Sequence, residues 1–272
     1  MQPLHQSHPS QALQNSLHID CQACRGLCCT ALYFAKSEGF PADKAAGAPC
    51  RNLAADFRCA IHKDLAVRGL NGCLAYDCFG AGQKVVRELY RRADWRTSPA
   101  LAEEMFSVFL VVFRLHQMLW YLAEAASLAP AVPCQAEIHA LIEENQRLTR
   151  LPPKALLQFQ LNPYHQKVSR LLKNLCARIC TAGKQSQDAI GKRFRGKKTR
   201  QVDFSMCLLI AADLRESDLY GASFLGADLR DANLKDADLR ESIFLTQGQI
   251  NAAKGNAGTK LPVALHTPSH WL

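Results

Sequence analysis

Residues 202–246 read VDFSM CLLIA ADLRE SDLYG ASFLG ADLRD ANLKD ADLRE SIFLT, which is nine consecutive units of five residues. The third residue of every unit is Leu or Phe, and the first residue is small or of modest size. A charged amphipathic helix is the alternative, but a period of five would spread the Leu and Phe side chains around all its faces. A solenoid with one corner per five residues keeps both rows inside. The sequence therefore predicts a solenoid.

The repeat resembles the pentapeptide-repeat family, whose units follow the pattern A(D/N)LXX. The next stretch, LTQGQINAAKGNAGTKLP, resembles the closing segment of many such proteins, so the resemblance covers 202–262. It implies a right-handed four-sided β-helix with four pentapeptides per coil. A little more than two coils would then form, about 11 Å tall at the ~4.8 Å spacing of stacked strands. Such a fold does not by itself specify an activity.

Some members of this family are acidic rods that imitate duplex DNA and bind topoisomerase. Regulation of a DNA-processing enzyme through the repeat is therefore an alternative function. Duplex DNA carries one charge per ~1.7 Å, so a solenoid about 11 Å tall would match roughly three base pairs. Residues 202–246 contain nine acidic and four basic side chains, and the residues before them are basic. This charge distribution does not favour imitation of DNA.

The whole chain has 272 residues, a hydrophobic content of 48% and a formal net charge of +9, which excludes a mainly disordered or collagen-like protein. Its beginning lacks the basic and apolar regions of a secretory signal, and its most apolar stretch, Met105–Leu122, is interrupted by polar side chains. We therefore expect a cytoplasmic protein without a membrane span. Thiols stay reduced there, so the twelve cysteines favour metal binding or redox chemistry over disulfides.

Eight of the cysteines lie between Cys21 and Cys78, and the first four form the motif CQACRGLCC. The C-x2-C spacing lets two thiolates of one turn bind a single tetrahedral ion, and four thiolates suit zinc or an iron–sulfur cluster. Gly26 permits a positive φ, which would let the loop wrap around an ion. We expect the vicinal Cys28 and Cys29 to point in different directions and not to serve one edge of a site.

The cysteine-rich segment 21–83 resembles the CxxCxxxCC family of putative zinc- or iron-chelating domains. The resemblance depends on the opening motif, on PCRNL around Cys50, on C-x-I-H at Cys59–His62, and on a closing C-x4-C. It implies bound zinc or iron, in two four-thiolate sites or in one site with the other thiols buried or redox-active. The candidate metal ligands are Cys21, Cys24, Cys28, Cys29, Cys50, Cys59, Cys73 and Cys78.

Two other side chains in this segment are weaker candidates. His62 could bind a metal, but a histidine near a cysteine is more often a surface or capping residue. Asp77 is expected to be a solvated carboxylate or to support a ligand. Oxidised pairs or plain buried thiols remain alternatives to metal binding, and no motif in the chain predicts a catalytic residue.

Residues 84–182 are predicted to be helical. One helix should start at Ser98–Pro99 and run to about Ala126, a second should span about 135–148, and a third should follow Asn162–Pro163. Cys176 and Cys180 are four residues apart and are expected to be buried thiols. Residues 183–201 contain seven basic side chains and one acidic side chain. We expect a solvated basic linker there, because its single aromatic residue offers no stacking platform for a nucleic acid.

The predicted organisation has six parts: a disordered N-terminus 1–20, a cysteine-rich metal-binding domain 21–83, a helical segment 84–182, a basic linker 183–201, a pentapeptide-repeat β-helix 202–262 and a tail 263–272. We expect a cytoplasmic, non-enzymatic protein of bacterial type that binds zinc or iron and an unidentified protein partner. The partner is not expected to be a nucleic acid or a membrane. An iron–sulfur or iron-dependent redox protein that uses the same cysteines is the alternative from the enzyme class.

Overall fold

A computed structural model describes residues 3–5, 10–38, 40–197 and 199–272. The chain folds into two compact units, and each unit is assembled from separated segments. The repeat unit comprises Met1–Gln11, Glu124–Ala136 and Ser169–Leu272, and the cysteine unit comprises Ala12–Ala123 and Glu137–Val168. The predicted boundary between a cysteine-rich domain and a helical segment at 83/84 is therefore not a boundary between units.

The described residues contain α-helices and several shorter helical turns. The α-helices are α1 Ser10–Ser16, α2 Leu27–Ala31, α3 Asn71–Ala75, α4 Ala81–Lys84, α5 Pro99–Ser127, α6 Gln135–Leu148, α7 Pro153–Gln158, α8 Leu161–Ile179 and α9 Gln247–Ala252. A π-helical turn, Val85–Leu89, continues α4. Short 3-10 turns lie at Lys36–Glu38, His62–Asp64, Trp95–Thr97, Ala129–Cys134 and Ser269–Trp271. The three predicted long helices are confirmed, except that the third begins at Leu161, before Asn162–Pro163.

The pentapeptide repeat folds as stacked coils. Parallel bridges join residues twenty positions apart, as in Asp203↔Ser223 and Ser223↔Ile243, so four pentapeptides complete one coil. The described part of the chain contains isolated bridges and no longer strand, because each side of the coil is short. Both predicted inner rows are buried, apart from the half-buried Val202 at the start of the first row. The solenoid prediction is confirmed at this level.

The basic segment 183–201 is an additional coil of the solenoid, so the prediction of a solvated linker is wrong. Parallel bridges join Lys184 to Asp203 and Arg193 to Asp213. The Phe194 side chain is 7% exposed, and its ring centroid lies 5.4 Å from that of Phe204. The sequence carried this signal, because Ala189, Phe194 and Thr199 keep the five-residue spacing of the inner row and all are buried. The basic side chains between them occupy outward positions and conceal the pattern.

Ten successive corners of the solenoid, from 191 to 236, use a left-handed backbone conformation. Positive φ angles recur at five-residue intervals, and the residues concerned are Gly191, Gly196, Gln201, Met206, Ala211, Glu216, Gly221, Gly226, Asp231 and Asp236. Residues other than glycine rarely adopt this conformation, because their Cβ atom approaches the backbone. The coil therefore tolerates six strained non-glycine corners within this series, which the burial of the two inner rows must offset.

The closing segment covers the last coil. Asn233 pairs with Lys254 and Asp238 pairs with Lys260, so residues beyond the repeat add to the stack. Thr246 caps α9 and shares a reciprocal capping box with Gln249. The Trp271 indole Nε1–H donates to the Ala253 carbonyl at 3.0 Å, so the expected tail 263–272 is anchored at its end. With the extra coil at the start, the stack has four levels instead of the two expected.

The N-terminal residues are also ordered where the structure describes them, in contrast to the disordered segment expected over 1–20. Leu4 is buried, and its backbone N–H donates to Glu241 Oε2 at 2.8 Å. The His5 imidazole lies between two carboxylates, 3.4 Å from Glu124 and 3.5 Å from Glu241. Glu124 is buried and accepts the Phe244 backbone N–H at 2.8 Å. The start of the chain is therefore attached to the repeat unit.

The core of the cysteine unit forms around the first 25 residues of α5, up to Ala123. Among the described helices, Pro99–Ser127 is long and apolar enough to cross a membrane by length and composition. However, 67% of its most apolar window is buried inside the protein, as in a core helix. Two buried side chains fix the neighbouring helices: Asn145 donates to the Leu115 carbonyl at 2.9 Å, and the Tyr164 hydroxyl donates to the Leu141 carbonyl at 2.8 Å.

Candidate metal centre

The glycine between the first cysteines has the conformation that the sequence predicted. Gly26 has φ 63° and directly precedes α2, which carries Cys28 and Cys29. A Cβ atom at this position would lie 2.5 Å from Leu53 Cδ1, so the loop also depends on the absence of a side chain. Gly26 therefore lets the chain turn tightly between Cys24 and α2.

The vicinal pair is closer together than expected. The Sγ atoms of Cys28 and Cys29 are 3.9 Å apart. The expectation that these side chains diverge is wrong. Cys21 is also within electrostatic reach of Cys29 and of Cys59 from the later segment.

Backbone N–H groups point at several of the sulfur atoms. The Asn52 N–H donates to Cys50 Sγ at 3.5 Å. The N–H of Ile61 acts in the same way on Cys59, again from two residues further along the chain. Gly26 and Leu27 supply such donors to Cys24. Backbone donors of this kind stabilise a thiolate more than a thiol, because the bond to the charged sulfur is stronger.

Gly82 gives the glycine-rich stretch Phe79–Gln83, which closes the cysteine-rich segment, a structural role. Its N–H hydrogen-bonds to the sulfur of Cys78. A Cβ atom at Gly82 would lie 2.6 Å from Cys24 Sγ. The residue therefore brings the first and last parts of the segment together, because its backbone contacts one thiol while its missing side chain leaves room for another.

We call Cys21, Cys24, Cys28 and Cys78 the first thiol set, although Cys29 also acts on Cys21, Cys24 and Cys28. Burial, followed by negative charge on Asp77, Cys24 and Cys21, raises the pKa of Cys78 to about 12. The pKa of Cys28 is raised by its hydrogen bond with Cys29, by burial, and by charge on Cys24 and Cys78. Burial likewise raises the pKa of Cys24 to about 11. Each of these thiols thus lies within electrostatic reach of others in the set.

A second thiol set consists of Cys29, Cys50, Cys59 and Cys73. Burial, followed by negative charge on Cys29, Cys50 and Cys59, raises the pKa of Cys73 to about 12. The Cys50 N–H donates to the Cys29 carbonyl at 2.9 Å. Cys50 and Cys73 also pack against the same small apolar core, which consists of Phe34, Phe40, Leu65 and Leu70. The second set is therefore held by backbone contacts and by shared packing.

Lys44 is a residue of this site that the sequence analysis missed. Its ammonium donates to the carbonyls of Thr30, Ala45 and Ala48 at 3.1, 2.9 and 2.7 Å. The pKa of Cys29 is lowered by the hydrogen bond from Cys28, and the charge of Lys44 adds to this effect. The spacing of cysteines in the sequence does not indicate Lys44, because its charge acts on Cys29 only in the folded protein.

The thiols converge without forming a finished ligand shell. Within the described residues, no three Cys, His, Asp or Glu side chains are arranged so that they could hold a metal ion. His62 is exposed. Asp77 is half-buried, burial raises its pKa to about 6, and its Oδ1 accepts the Phe79 N–H at 2.8 Å. It acts as a turn cap beside Cys78, and the expectation that it is solvated or supports a ligand stays a prediction.

A buried hydroxyl group next to these thiols has no partner. The Tyr76 hydroxyl oxygen is inaccessible to solvent and makes no hydrogen bond with any described residue. Its ring packs 5.7 Å from that of Phe113. Burial, followed by charge on Cys28 and Cys78, raises the pKa of Tyr76 above its usual value, so the phenol is neutral. Such unsatisfied buried groups are rare in proteins.

The backbone beside Cys78 is fixed by α5. His116 Nδ1–H donates to the Phe79 carbonyl at 2.6 Å, and burial lowers the pKa of His116 to about 4, so the ring is neutral. His116 also lines a cavity of about 340 Å³ with Lys84, Arg87 and Arg150. Phe79 has a positive φ of 49°, so this hydrogen bond supports a strained residue next to the last cysteine.

The remaining cysteines pack as expected for structural thiols. All twelve cysteines lie in the described part of the chain and carry free thiols. Cys176 and Cys180 are buried, and their sulfur atoms lie 3.3 Å from Ser223 Oγ and 3.5 Å from the Gly221 carbonyl. Cys207 is fully buried in an inner row of the coil. Cys134 is half-buried and belongs to the repeat unit, apart from the thiol sets.

Two comparisons with known proteins bear on this arrangement. The family model for pentapeptide repeats matches residues 207–244 with eight copies. A relative named "Uncharacterized protein YybG", from Bacillus subtilis (strain 168), is 47% identical over 264 residues, which cover 94% of this chain and 95% of the relative. The match thus includes both the cysteine unit and the repeat. The chain therefore belongs to the family of YybG, and its residues 207–244 are pentapeptide repeats.

Proposed function

We propose that this protein is a non-enzymatic metal-binding protein whose repeat presents a surface for a protein partner. The two thiol sets would each hold one ion: Cys21, Cys24, Cys28 and Cys78 the first, and Cys29, Cys50, Cys59 and Cys73 the second. The observation that carries the proposal is the convergence of eight thiols from five separate parts of the chain. The two sites would adjoin at the vicinal pair, whose sulfur atoms are 3.9 Å apart.

The donor chemistry of the eight thiols suits a metal, although no three of the described side chains are yet arranged as its ligands. Thiolates are the preferred donors for zinc and for iron–sulfur clusters. The backbone donors at Cys24, Cys50 and Cys59 support charged sulfur, and the missing side chain of Gly82 leaves room at Cys24. The bound ion would supply a cross-link between four thiolates and no chemistry of its own. The cluster beside Cys50 and Cys73 contains only four buried apolar residues, so the cross-link would stabilise this part of the unit.

The same donor set also suits iron, and an iron–sulfur or iron-dependent redox protein is the alternative. The two outcomes differ in colour. Protein purified without oxygen will be colourless with bound zinc if the ions are structural, and brown with visible absorption if the thiols hold an iron–sulfur cluster. Iron–sulfur clusters absorb visible light, whereas zinc has a filled d shell.

The repeat supports the proposed binding role through its outer surface. We propose a right-handed four-sided β-helix, as the pentapeptide pattern implies. Outward aspartates are paired with the arginine two residues further on, as in Asp213–Arg215, Asp228–Arg230 and Asp238–Arg240 at 2.6–2.8 Å. These pairs neutralise the acidic rows, and the first coil is basic, so the surface does not resemble the uniformly negative surface of DNA. A general protein partner therefore fits this surface better than a DNA-processing enzyme that binds DNA mimics.

Serine substitutions test the metal sites. Cys24→Ser should remove about one ion per chain, and Cys59→Ser should remove the other, because each takes one thiolate from a different four-thiolate set. The wild-type protein should copurify with about two ions per chain. Metal content measured by elemental analysis on anaerobically purified protein gives the result.

Cys134→Ser is the matched control, since Cys134 lies apart from both sets and its replacement should leave the metal content unchanged. A chelator should destabilise the cysteine unit and leave the β signal of the repeat in place. Wild-type protein that is metal-free, fully folded and indifferent to chelator contradicts the proposal, and the cysteines would then be packing residues.

A further inference from the structure

The cysteine unit contains a cavity that none of the roles described above uses. It has a volume of about 340 Å³ and lies between α4 with its π-helical turn, α5, and the ends of α1 and α6. Its described lining residues all belong to the cysteine unit. Part of the wall is apolar, because the buried side chains of Leu17 and Leu119 contribute to it. Ligand pockets begin at about 300 Å³ and a water occupies roughly 30 Å³, so the cavity has room for a small organic molecule.

A buried imidazole in the lining of this cavity has one ring nitrogen without a partner. The His116 side chain donates from Nδ1–H to the Phe79 carbonyl at 2.6 Å, and the residue is only 6% exposed. Because the ring is neutral, Nε2 carries a lone pair and can only accept a hydrogen bond. No described residue donates to Nε2, yet this atom is not among the unpartnered atoms that the described part of the chain seals from solvent. Nε2 therefore opens onto the cavity, where a bound molecule can supply the donor.

The rest of the lining has an excess of positive charge. Its described basic residues are Lys84, Arg87 and Arg150. Its described acidic residue is Glu88, which pairs with Lys84 at 2.5 Å. Arg87 lies 3.4 Å from Asp20, which is outside the lining, and Arg150 forms no ion pair with any residue that the structure describes. A cavity surrounded by cations attracts an anionic ligand, and guanidinium groups bind carboxylates and phosphates especially well.

We propose that this cavity binds a small organic anion that also carries a hydroxyl group. The anionic group, a carboxylate or a phosphate, contacts the guanidinium of Arg150, and the hydroxyl group donates to His116 Nε2. The half-buried Gln146 side chain belongs to the same lining and forms no hydrogen bond with any described residue, so it offers a further polar contact. Water alone would satisfy Nε2 but would leave the guanidinium without a counter-ion. The proposal does not depend on the metal sites.

Matched pairs of ions test both parts of the proposal on the full chain as purified. Malate and succinate are dicarboxylates that differ in a hydroxyl group, and glycerol 3-phosphate and propyl phosphate are phosphates that differ in the same way. Isothermal titration calorimetry should give a dissociation constant of about 1 mM or lower for at least one of the two hydroxylated ions. Its counterpart without hydroxyl groups should bind about three- to tenfold more weakly, because it leaves Nε2 without a donor. The pair that binds distinguishes a carboxylate ligand from a phosphate ligand.

Substitutions locate the binding in the cavity. Arg150→Gln should weaken binding of the hydroxylated ion about tenfold, because it removes a charged donor. Arg147→Gln is the matched control and should leave the affinity unchanged, since Arg147 is exposed on α6 and is not part of the lining. His116→Asn keeps an N–H that can donate to the Phe79 carbonyl but removes Nε2. It should lower the affinity for the hydroxylated ion to that of its hydroxyl-free counterpart.

Three results would overturn the proposal. If the wild-type chain binds neither malate nor glycerol 3-phosphate, the cavity holds only water. If the two members of each pair bind equally well, Nε2 does not accept a hydrogen bond from the ligand. If Arg147→Gln weakens binding as much as Arg150→Gln, the ions respond to the general charge of the surface and not to this cavity. Should His116→Asn fail to fold, the matched ions still test Nε2 in the wild-type chain.

Discussion

Individual side chains in the two inner rows of the coil support the whole solenoid. Leu234, for example, is fully buried, and the backbone N–H groups of Leu234 and its neighbours pair with the adjoining coils. Its neighbour Lys235 occupies an outward, exposed position. Residues that are adjacent in sequence thus have opposite roles, and the five-residue period decides which role each one has.

Leu234→Ala should destabilise the protein by about 2–5 kcal/mol, because it leaves a cavity in a narrow core. Lys235→Ala should change the free energy of unfolding by less than about 0.5 kcal/mol. Chemical denaturation followed by circular dichroism measures both values. Leu234→Asp, which would bury an unpaired charge, should prevent recovery of soluble protein. Equal tolerance at the two positions is incompatible with the coil.

The sequence predicts the interior of the coil residue by residue because a strict period leaves one way to bury Leu and Phe together. It also predicts the eight cysteines as candidate ligands, because they are clustered between residues 21 and 78 and begin with a C-x2-C motif. Lys44 and Gly82 could not be predicted in this way. Their importance depends on contacts between distant parts of the chain, which spacing does not encode.

At the scale of elements, helix boundaries follow from local signals. Pro99 begins α5, and α6 spans Gln135–Leu148 as the apolar spacing predicted. The sequence analysis did not identify the first coil, 183–201, because its many basic side chains indicated a linker and its five-residue pattern is weak. The N-terminal segment was missed because its order depends on tertiary contacts of Leu4 and His5 with Glu241.

The N-terminal segment should attach to the repeat unit in a pH-dependent way. Burial disfavours the charged form of His5, but hydrogen bonds and charge from Glu124 and Glu241 outweigh it and raise the pKa of His5 above its usual value. A raised folded-state pKa gives stability that is fully present below the unfolded-state value, near 6.5, and is lost as the pH rises through the folded-state value.

The stability difference between the wild type and His5→Gln should therefore be largest in mildly acidic solution and should shrink as the pH rises. Melting temperatures across this range measure it. His62→Gln is the control, because His62 is exposed and belongs to the other unit. A difference that grows with pH would show that the charged imidazole does not hold the segment.

At the scale of the whole molecule, the two units are interleaved along the chain. Each contains segments from both sides of the other, so neither can be removed as a contiguous piece. Within the repeat unit, the register of twenty residues per coil determines which changes of length the chain can accept. Contacts such as those of Leu4 with Glu241 lie on one side of the coil.

Deleting residues 208–227 should be tolerated better than deleting 223–227. The longer deletion removes one full coil and leaves Glu241 and Phe244 on the same side, because Leu208 pairs directly with Asp228. The shorter deletion keeps the inner rows but rotates Glu241 and Phe244 by a quarter of a coil, away from Leu4 and Glu124. Soluble yield and melting temperature compare the two. Better behaviour of the shorter deletion would contradict the twenty-residue register.

The closing segment has a consequence for self-association. The last coil would otherwise end in a row of unpaired backbone donors and acceptors, which is the kind of edge that recruits strands from other chains. Lys254 and Lys260 occupy that edge with their own backbone, and their side chains add positive charge beside it. The Trp271 indole donates a hydrogen bond to the Ala253 carbonyl and so anchors this closing segment. The repeat therefore ends in a blocked edge, which keeps a short stack from growing into a fibre.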